Sequence, residues 1–183
     1  NLDDINLTNI AKVKMRSGLF DNTNTRISYS DTSTIISAPP SVLLTVNLKL
    51  FLQGYYIDGG IMQDVMSNQM VPFSQSTHTD SITVELHHPV TNALVEKKRA
   101  LLLSNGLVSV QFFQPIGSYY IAIKHRNTLQ TWSANPVPCS AATALYDFSS
   151  AANMAMGNNQ VQMQTGKWAM FTGDLNQDDF IDG

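Results

Sequence analysis

Apolar and polar residues alternate strictly through the middle of the chain. In Ser81-Ile82-Thr83-Val84-Glu85-Leu86-His87, the residues Ile82, Val84 and Leu86 fall on one side and Ser81, Thr83, Glu85 and His87 on the other. A period of two is the geometry of a half-buried strand, with one face on a core and one in water. Ser118 to Arg126 repeats the pattern, setting Tyr119, Ile121 and Ile123 against Tyr120, Ala122 and Lys124. Ala93 to Glu96 and Gly106 to Phe112 read as strands between them. Upstream, Leu43 to Leu52 puts Leu44, Val46, Leu48, Leu50 and Leu52 on one face; downstream, Leu145 to Phe148, Val161 to Gln164 and Lys167 to Phe171 close the series. Turn signals such as Asp58-Gly59-Gly60 and Asn135-Pro136-Val137-Pro138 punctuate these runs about every eight to twelve residues, and no long amphipathic helix interrupts them. The pattern predicts an all-β chain, an antiparallel Greek-key β-sandwich of Ig-like type. Ile61 to Thr79, with Met62, Met66 and Met70, reads as a long loop holding one helical turn, its methionines packed loosely on the sandwich.

The first 41 residues follow a different pattern. Leu2, Ile5, Leu7 and Ile10 give a mixed spacing, Asp21-Asn22-Thr23-Asn24-Thr25 is a polar turn, Arg26 to Ser30 alternates, and Thr34-Ile35-Ile36 is a further candidate strand. Ala38-Pro39-Pro40-Ser41 then forms a stiff joint, because consecutive prolines favour extended backbone and deny ladder hydrogen bonds. The expected organisation is an N-terminal extension over 1–41, a β-sandwich module over 42–171 and a separate acidic tail over 172–183. The extension is either a linker or a strand that pairs with the sheet edge of a neighbouring copy, and both readings stay open.

Charged residues make up only 14% of the 183, and the net charge is -3. A nucleic-acid surface would need clustered Lys and Arg, so that partner is not expected. The longest basic cluster, Lys97-Lys98-Arg99, reads as the solvated end of a strand or a turn. Abundant Thr, Ser, Asn and Gln suit an extracellular β-protein. One cysteine, Cys139, leaves no internal disulfide and reads as a small buried residue. No run approaches the roughly 18 apolar residues of a membrane span. The chain opens on Asn1 without a basic, apolar leader, as expected of an exported protein whose signal has been removed.

Chemistry concentrates at the tail. Counting Asp174 as position 1, oxygen-bearing side chains recur at positions 1, 3, 5 and 9: Asp174, Asn176, Asp178 and Asp182. Calcium takes six to eight oxygens, and this spacing lets a tight loop wrap them around the ion. Phe180, at position 7, would offer its backbone carbonyl, and Ile181 would tuck into an adjoining apolar surface. Position 6, ordinarily glycine, is Asp179, a residue that tolerates the left-handed conformation better than most. The twelfth position, where a carboxylate completes the set, lies beyond Gly183.

Several segments together resemble a β-sandwich module of exported proteins from gliding and biofilm-forming bacteria. They are Leu44 to Tyr56, Asp80 to Leu86, Tyr119 to Asn127, Thr131-Trp132-Ser133, Tyr146-Asp147-Phe148, Gly157 to Val161 and Gly173 to Asp178. In that family the last segment opens a dockerin-like calcium repeat. The resemblance covers residues 42 to 183 and implies an exported, cell-surface or extracellular location and a non-catalytic role.

A catalytic reading would draw on His87, His88 and His125 with Glu85 or Asp147. By alternation His87 lies on the outward face, His88 ends the strand before Pro89, and His125 sits between Lys124 and Arg126 at a polar strand end, so all three read as surface histidines and no catalytic residues are expected. Glycan binding is the stronger alternative, drawing on Tyr55, Tyr56, Tyr119, Tyr120, Trp132 and Trp168, although such rings also fill and rim sandwich cores. The expected function is a structural or adhesive module, a subunit of an extracellular fibre that pairs with copies of itself, stiffened by calcium at its C-terminal junction. The alternative is a carbohydrate-binding module of an exported enzyme.

Overall fold

The computed structural model describes residues 10–20, 23, 26–37, 39–141, 143, 145–164, 166–176, 178, 180 and 181, with backbone alone along Ile10–Phe20 and Arg26–Ser37. The expected mixed spacing of Leu2, Ile5 and Leu7, and the proposed ligand Asp182, lie outside the described residues. The chain divides into two compact units, Asn1–Ser41 and Val42–Gly183.

The first unit holds a β-hairpin of β1 (Ile10–Phe20) and β2 (Arg26–Ser37). The strands pair antiparallel from Ile10 opposite Ser37 to Phe20 opposite Arg26, with one irregularity next to the turn. Thr23, inside the expected Asp21 to Thr25 turn, has turn conformation. The separate candidates Arg26 to Ser30 and Thr34 to Ile36 are one continuous strand. β1 itself is not among the expected elements, although Lys12-Val13-Lys14-Met15-Arg16 alternates cation with apolar residue.

The second unit is all-β, as its alternation predicts. Its strands are β3 (Ser41–Lys49), β4 (Tyr56–Asp58), β5 (Ile61–Met62), β6 (His78–His87), β7 (Leu94–Leu103), β8 (Leu107–Pro115), β9 (Gly117–His125), β10 (Thr128–Trp132), β11 (Val137–Cys139), β12 (Tyr146–Asp147), β13 (Val161–Gln164) and β14 (Lys167–Ala169). One helical turn, α1 (Val65–Asn68), lies in the methionine-bearing loop. A five-stranded sheet runs β10-β9-β6-β7, with β11 also paired to β9, and a three-stranded sheet runs β12-β3-β8. The pairs β6–β7, β6–β9 and β9–β10 are antiparallel. The two-residue β12 departs from the antiparallel expectation, running parallel to β3 with Tyr146 opposite Leu48.

Between the sheets lies the core. Leu44, Val46, Leu48 and Leu50 from the β3 run and Val108, Val110 and Phe112 from β8 share one buried cluster with Ile82, Val84 and Leu86 from β6 and Tyr119, Ile121 and Ile123 from β9. Every second residue of each strand is therefore fixed by water exclusion, at about 1.5–3 kcal/mol per large apolar side chain. Cys139 is buried among them, its thiol pushed up to about 11 by that burial.

β7 and β8 are joined by a short turn and enter different sheets. Glu96 helps join them, accepting hydrogen bonds from the Phe113 N–H (3.2 Å) and the Gln114 amide (3.0 Å). Lys97-Lys98-Arg99 lies in mid-strand on β7 rather than at a strand end or turn, because β7 edges its sheet and exposed cations there deter pairing with another chain. In that turn Gly106 has φ +84°, and its carbonyl accepts from Leu50 N–H at 3.0 Å. A Cβ there would stand 2.7 Å from the Leu50 carbonyl oxygen and 2.8 Å from the Phe51 ring.

Gly106→Ala should therefore cost about 2–4 kcal/mol, combining left-handed strain with overpacking against backbone. Urea unfolding of the two proteins measures it; a loss below about 0.5 kcal/mol would contradict this placement of the turn.

Candidate functional site

Strand register decides which side chains meet on the outer face of the five-stranded sheet. Thr83 on β6 stands opposite Arg99 on β7 and Lys124 on β9. One step along, Glu85 stands opposite Lys97 and Ala122, and Ala122 opposite Trp132 on β10. One step further, His87 stands opposite Tyr120. The outer face thus carries cations at one end and aromatic rings at the other.

This face is not uniformly wet. Glu85 is 5% exposed and His87 6%, against the expectation that both face water. Trp132 is the reason: its ring centroid lies 4.1 Å from that of His87, and Tyr120 meets it edge-on at 6.2 Å. Beneath this cover His87 Nε2 is 3.1 Å from the Glu85 carboxylate and Nδ1 is 3.0 Å from the Asn92 carbonyl. Lys124 Nζ lies 3.7 Å from the other Glu85 oxygen. The structure therefore joins His87 to Glu85, two of the residues a catalytic reading would use, but as a covered pair. His88 is exposed and its Nδ1 accepts from the Val90 and Thr91 N–H groups of its own turn. Asp147 meets none of the three histidines, accepting instead from the N–H and hydroxyl of Ser149.

His125 also departs from expectation, being 3% exposed rather than at a solvated strand end. Its Nε2 lies 3.2 Å from Asp80 Oδ2, its Nδ1 accepts from Asn127 N–H at 3.3 Å, and its ring stacks edge-on with Tyr55 at 5.6 Å. Arg126 donates to the same Asp80 oxygen at 2.7 Å, and Tyr55 Oη–H reaches it at 3.4 Å. The Asp80 partnership is invisible to spacing, because 45 residues separate it from His125. Burial pushes the Asp80 carboxyl up, but hydrogen bonds from His125 and Ser81 N–H, with the charges of His125 and Arg126, outweigh it and hold the group below its ordinary 3.8. For His125 burial wins and lowers it below 6.5, against the hydrogen bond and charge of Asp80. With Nδ1 accepting, Nε2–H is the donor to Asp80.

Beside this cluster an open cavity of about 290 Å³ is lined by Asp80, Ser81, Thr83, Arg99, Lys124 and the His125-Arg126 pair. Arg99 reaches into it and donates to the Ser81 hydroxyl at 3.2 Å. A second cavity, about 270 Å³, is lined by Leu129, Gln130, Trp132 and Asn159.

In the tail, three of the five proposed calcium ligands fold around one point. Asp178 N–H donates to Asp174 Oδ1 (3.1 Å) and Asn176 Oδ1 (3.2 Å), and Asn176 Nδ2 donates to Asp178 Oδ2 (3.1 Å). Phe180 N–H donates to Asp178 Oδ1 at 3.0 Å. Asp174 is buried and anchors the loop, whereas Asn176, Asp178 and Phe180 are exposed. Ile181 is half exposed and does not tuck into an apolar surface. Among the described residues no group of three or more His, Cys, Asp or Glu side chains is placed to hold a metal; Asp179 and Asp182 lie outside them.

Among the described residues no helix is long and apolar enough to cross a membrane. No protein-family model, curated protein or solved structure matches the chain.

The cluster makes stability depend on pH. Asp80 and His125 both bind protons less readily folded than unfolded, so the unfolded chain takes up more protons in acid and stability rises with pH. The contribution is complete above 6.5 and is lost as pH falls, first through His125 and then, below 3.8, through Asp80. The melting temperature should decline from about pH 7 to about pH 5, and His125→Gln should flatten that decline while melting lower at pH 7. An equally steep decline in the variant would assign the effect to other groups.

Proposed function

We propose that the chain is a non-catalytic, exported structural and adhesive module whose copies join through the β1–β2 hairpin. The hairpin carries this reading. It is a ribbon of only two strands among the described residues, and an isolated two-stranded ribbon is at best marginally stable in water. Among the described residues no third strand pairs with it, so its edges offer a row of backbone donors and acceptors that a strand from a second copy would satisfy. The sandwich edge at β7 is blunted by Lys97, Lys98 and Arg99, so the hairpin is the better acceptor. Two observations support a role without catalysis: both ring nitrogens of His87 and of His125 are within hydrogen-bond reach of protein groups, and the Cys139 thiol is held protonated by burial. The extracellular location rests on composition and on the resemblance to exported bacterial modules.

Light scattering on the full chain and on residues 39–183 tests the assembly. The full chain should form polymers and the shortened one monomers with an unchanged melting temperature, since the sandwich has its own core. A full chain that stays monomeric at high concentration would reject the proposal.

Calcium belongs to the same reading, as the ion that stiffens the tail. Asp174, Asn176 and Asp178 would hold it with the Phe180 carbonyl and Asp182, and it would neutralise carboxylates otherwise held close together. The turned loop supports this, because Asp178 N–H gathers an oxygen each from positions 1 and 3 and the Asp178 carboxylate accepts from the Asn176 amide. Calcium at 10–100 times its dissociation constant should add about 1–3 kcal/mol of stability. Asp178→Ala should abolish that gain, which thermal melts with and without the ion would record; an identical gain in the variant would place calcium elsewhere.

A second reading, glycan binding, is favoured by the half-buried Trp132 and the amide-lined cavity beside it.

A further inference from the structure

We infer that the outer face of the five-stranded sheet binds an anionic polysaccharide, one sugar ring on Trp132 and its acidic group in the Ser81–Thr83 cavity between Arg99 and Lys124. The inference rests on the glycan reading and names its ligand class.

The register makes the groove. Arg99, Thr83 and Lys124 stand side by side on three adjacent strands, so the two cations flank a hydroxyl across roughly 10 Å, twice the spacing of neighbouring strands. The side chain of Arg99 already bends over the floor of the cavity to Ser81. Arg126 adds a third cation, its side chain 62% exposed. Among the described residues the one carboxylate lining the cavity, Asp80, is engaged by Arg126 and His125, and Glu85 next to it is covered and paired with Lys124 and His87. The cavity is therefore positive on a chain of net charge -3. An oxyanion entering it would meet guanidinium and ammonium donors together with two hydroxyls, the set that charge-assisted recognition of a carboxylate or sulfate uses.

The neighbouring platform selects a polysaccharide over a small anion. Trp132 is opposite Ala122, two residues along β9 from Lys124, and diagonal neighbours on one sheet face lie about 7–8 Å apart. That is within the reach of adjacent sugar units. Gln130 and Asn159 line a second cavity beside Trp132 and suit sugar hydroxyls.

Affinity electrophoresis of the full chain through gels holding alginate (carboxylate), dextran sulfate (sulfate ester) or neutral dextran tests the inference. Alginate or dextran sulfate should retard the protein and neutral dextran should not, and the stronger of the two acidic gels identifies the anion. Arg99→Gln with Lys124→Gln should weaken retardation about tenfold, Trp132→Ala should weaken it as well, and Lys49→Gln with Lys167→Gln, equal in charge but placed elsewhere, should not. An equal loss in that control pair would show bulk charge at work and overturn the inference. Retardation by neutral dextran that only Trp132→Ala removes would overturn the acidic ligand while leaving the glycan reading standing. No retardation in any gel would overturn both. Equal retardation by single-stranded DNA, lost in the same double variant, would replace the polysaccharide with a nucleic acid.

Discussion

Water exclusion between two facing sheets is the constraint on which the sandwich depends. The β3 run buries every second residue from Leu44 to Leu52, set against β6 and β9, so a shift of one residue would turn a whole apolar row outward. That cost fixes the register of β6 against β7 and β9, and the register in turn composes the outer face. Arg99, Thr83 and Lys124 are neighbours there because Ile82, Val84 and Ile123 must be buried on the other side.

The five-stranded sheet carries two buried polar pairs, one on its outer face and one at the end of its inner face. Glu85 and His87 lie under Trp132, and Asp80 and His125 lie beside Tyr55, each pair hydrogen-bonded as buried polar groups must be. These pairs tie loops and strand ends to the sheet: His87 reaches Asn92 in the β6–β7 connection, and Asp80 holds the end of β9 through His125 and Arg126. Rigidity of this kind suits a binding surface, since a preorganised face loses less conformational entropy when a ligand arrives.

The hairpin and the tail follow different physics. The Asp174 loop lies outside the buried apolar cluster of the sandwich, and the hairpin belongs to the other compact unit. Among the described residues the ribbon has two strands, whose edges suit further strand pairing, and the loop gathers carboxylates that a cation would neutralise. On the proposed reading the ribbon would serve as a joining element and the loop as an ion-dependent junction.

The sequence by itself determined the class of fold and the buried faces of its long strands, because period-two alternation needs no knowledge of partners: Leu44, Val46, Leu48, Ile82, Val84, Leu86, Ile121 and Ile123 are all buried where it puts them. It also showed the turned loop at Asp174 to Asp178, whose contacts span four residues at most. It gave no warning that Glu85 and His87 are covered, since Trp132, which covers them, arrives from β10 some forty-five residues later. Nor could it join Asp80 to His125, or Arg99 to Lys124 across Thr83. Alternation decides which face a residue occupies, but only the pairing of distant strands decides its neighbours there.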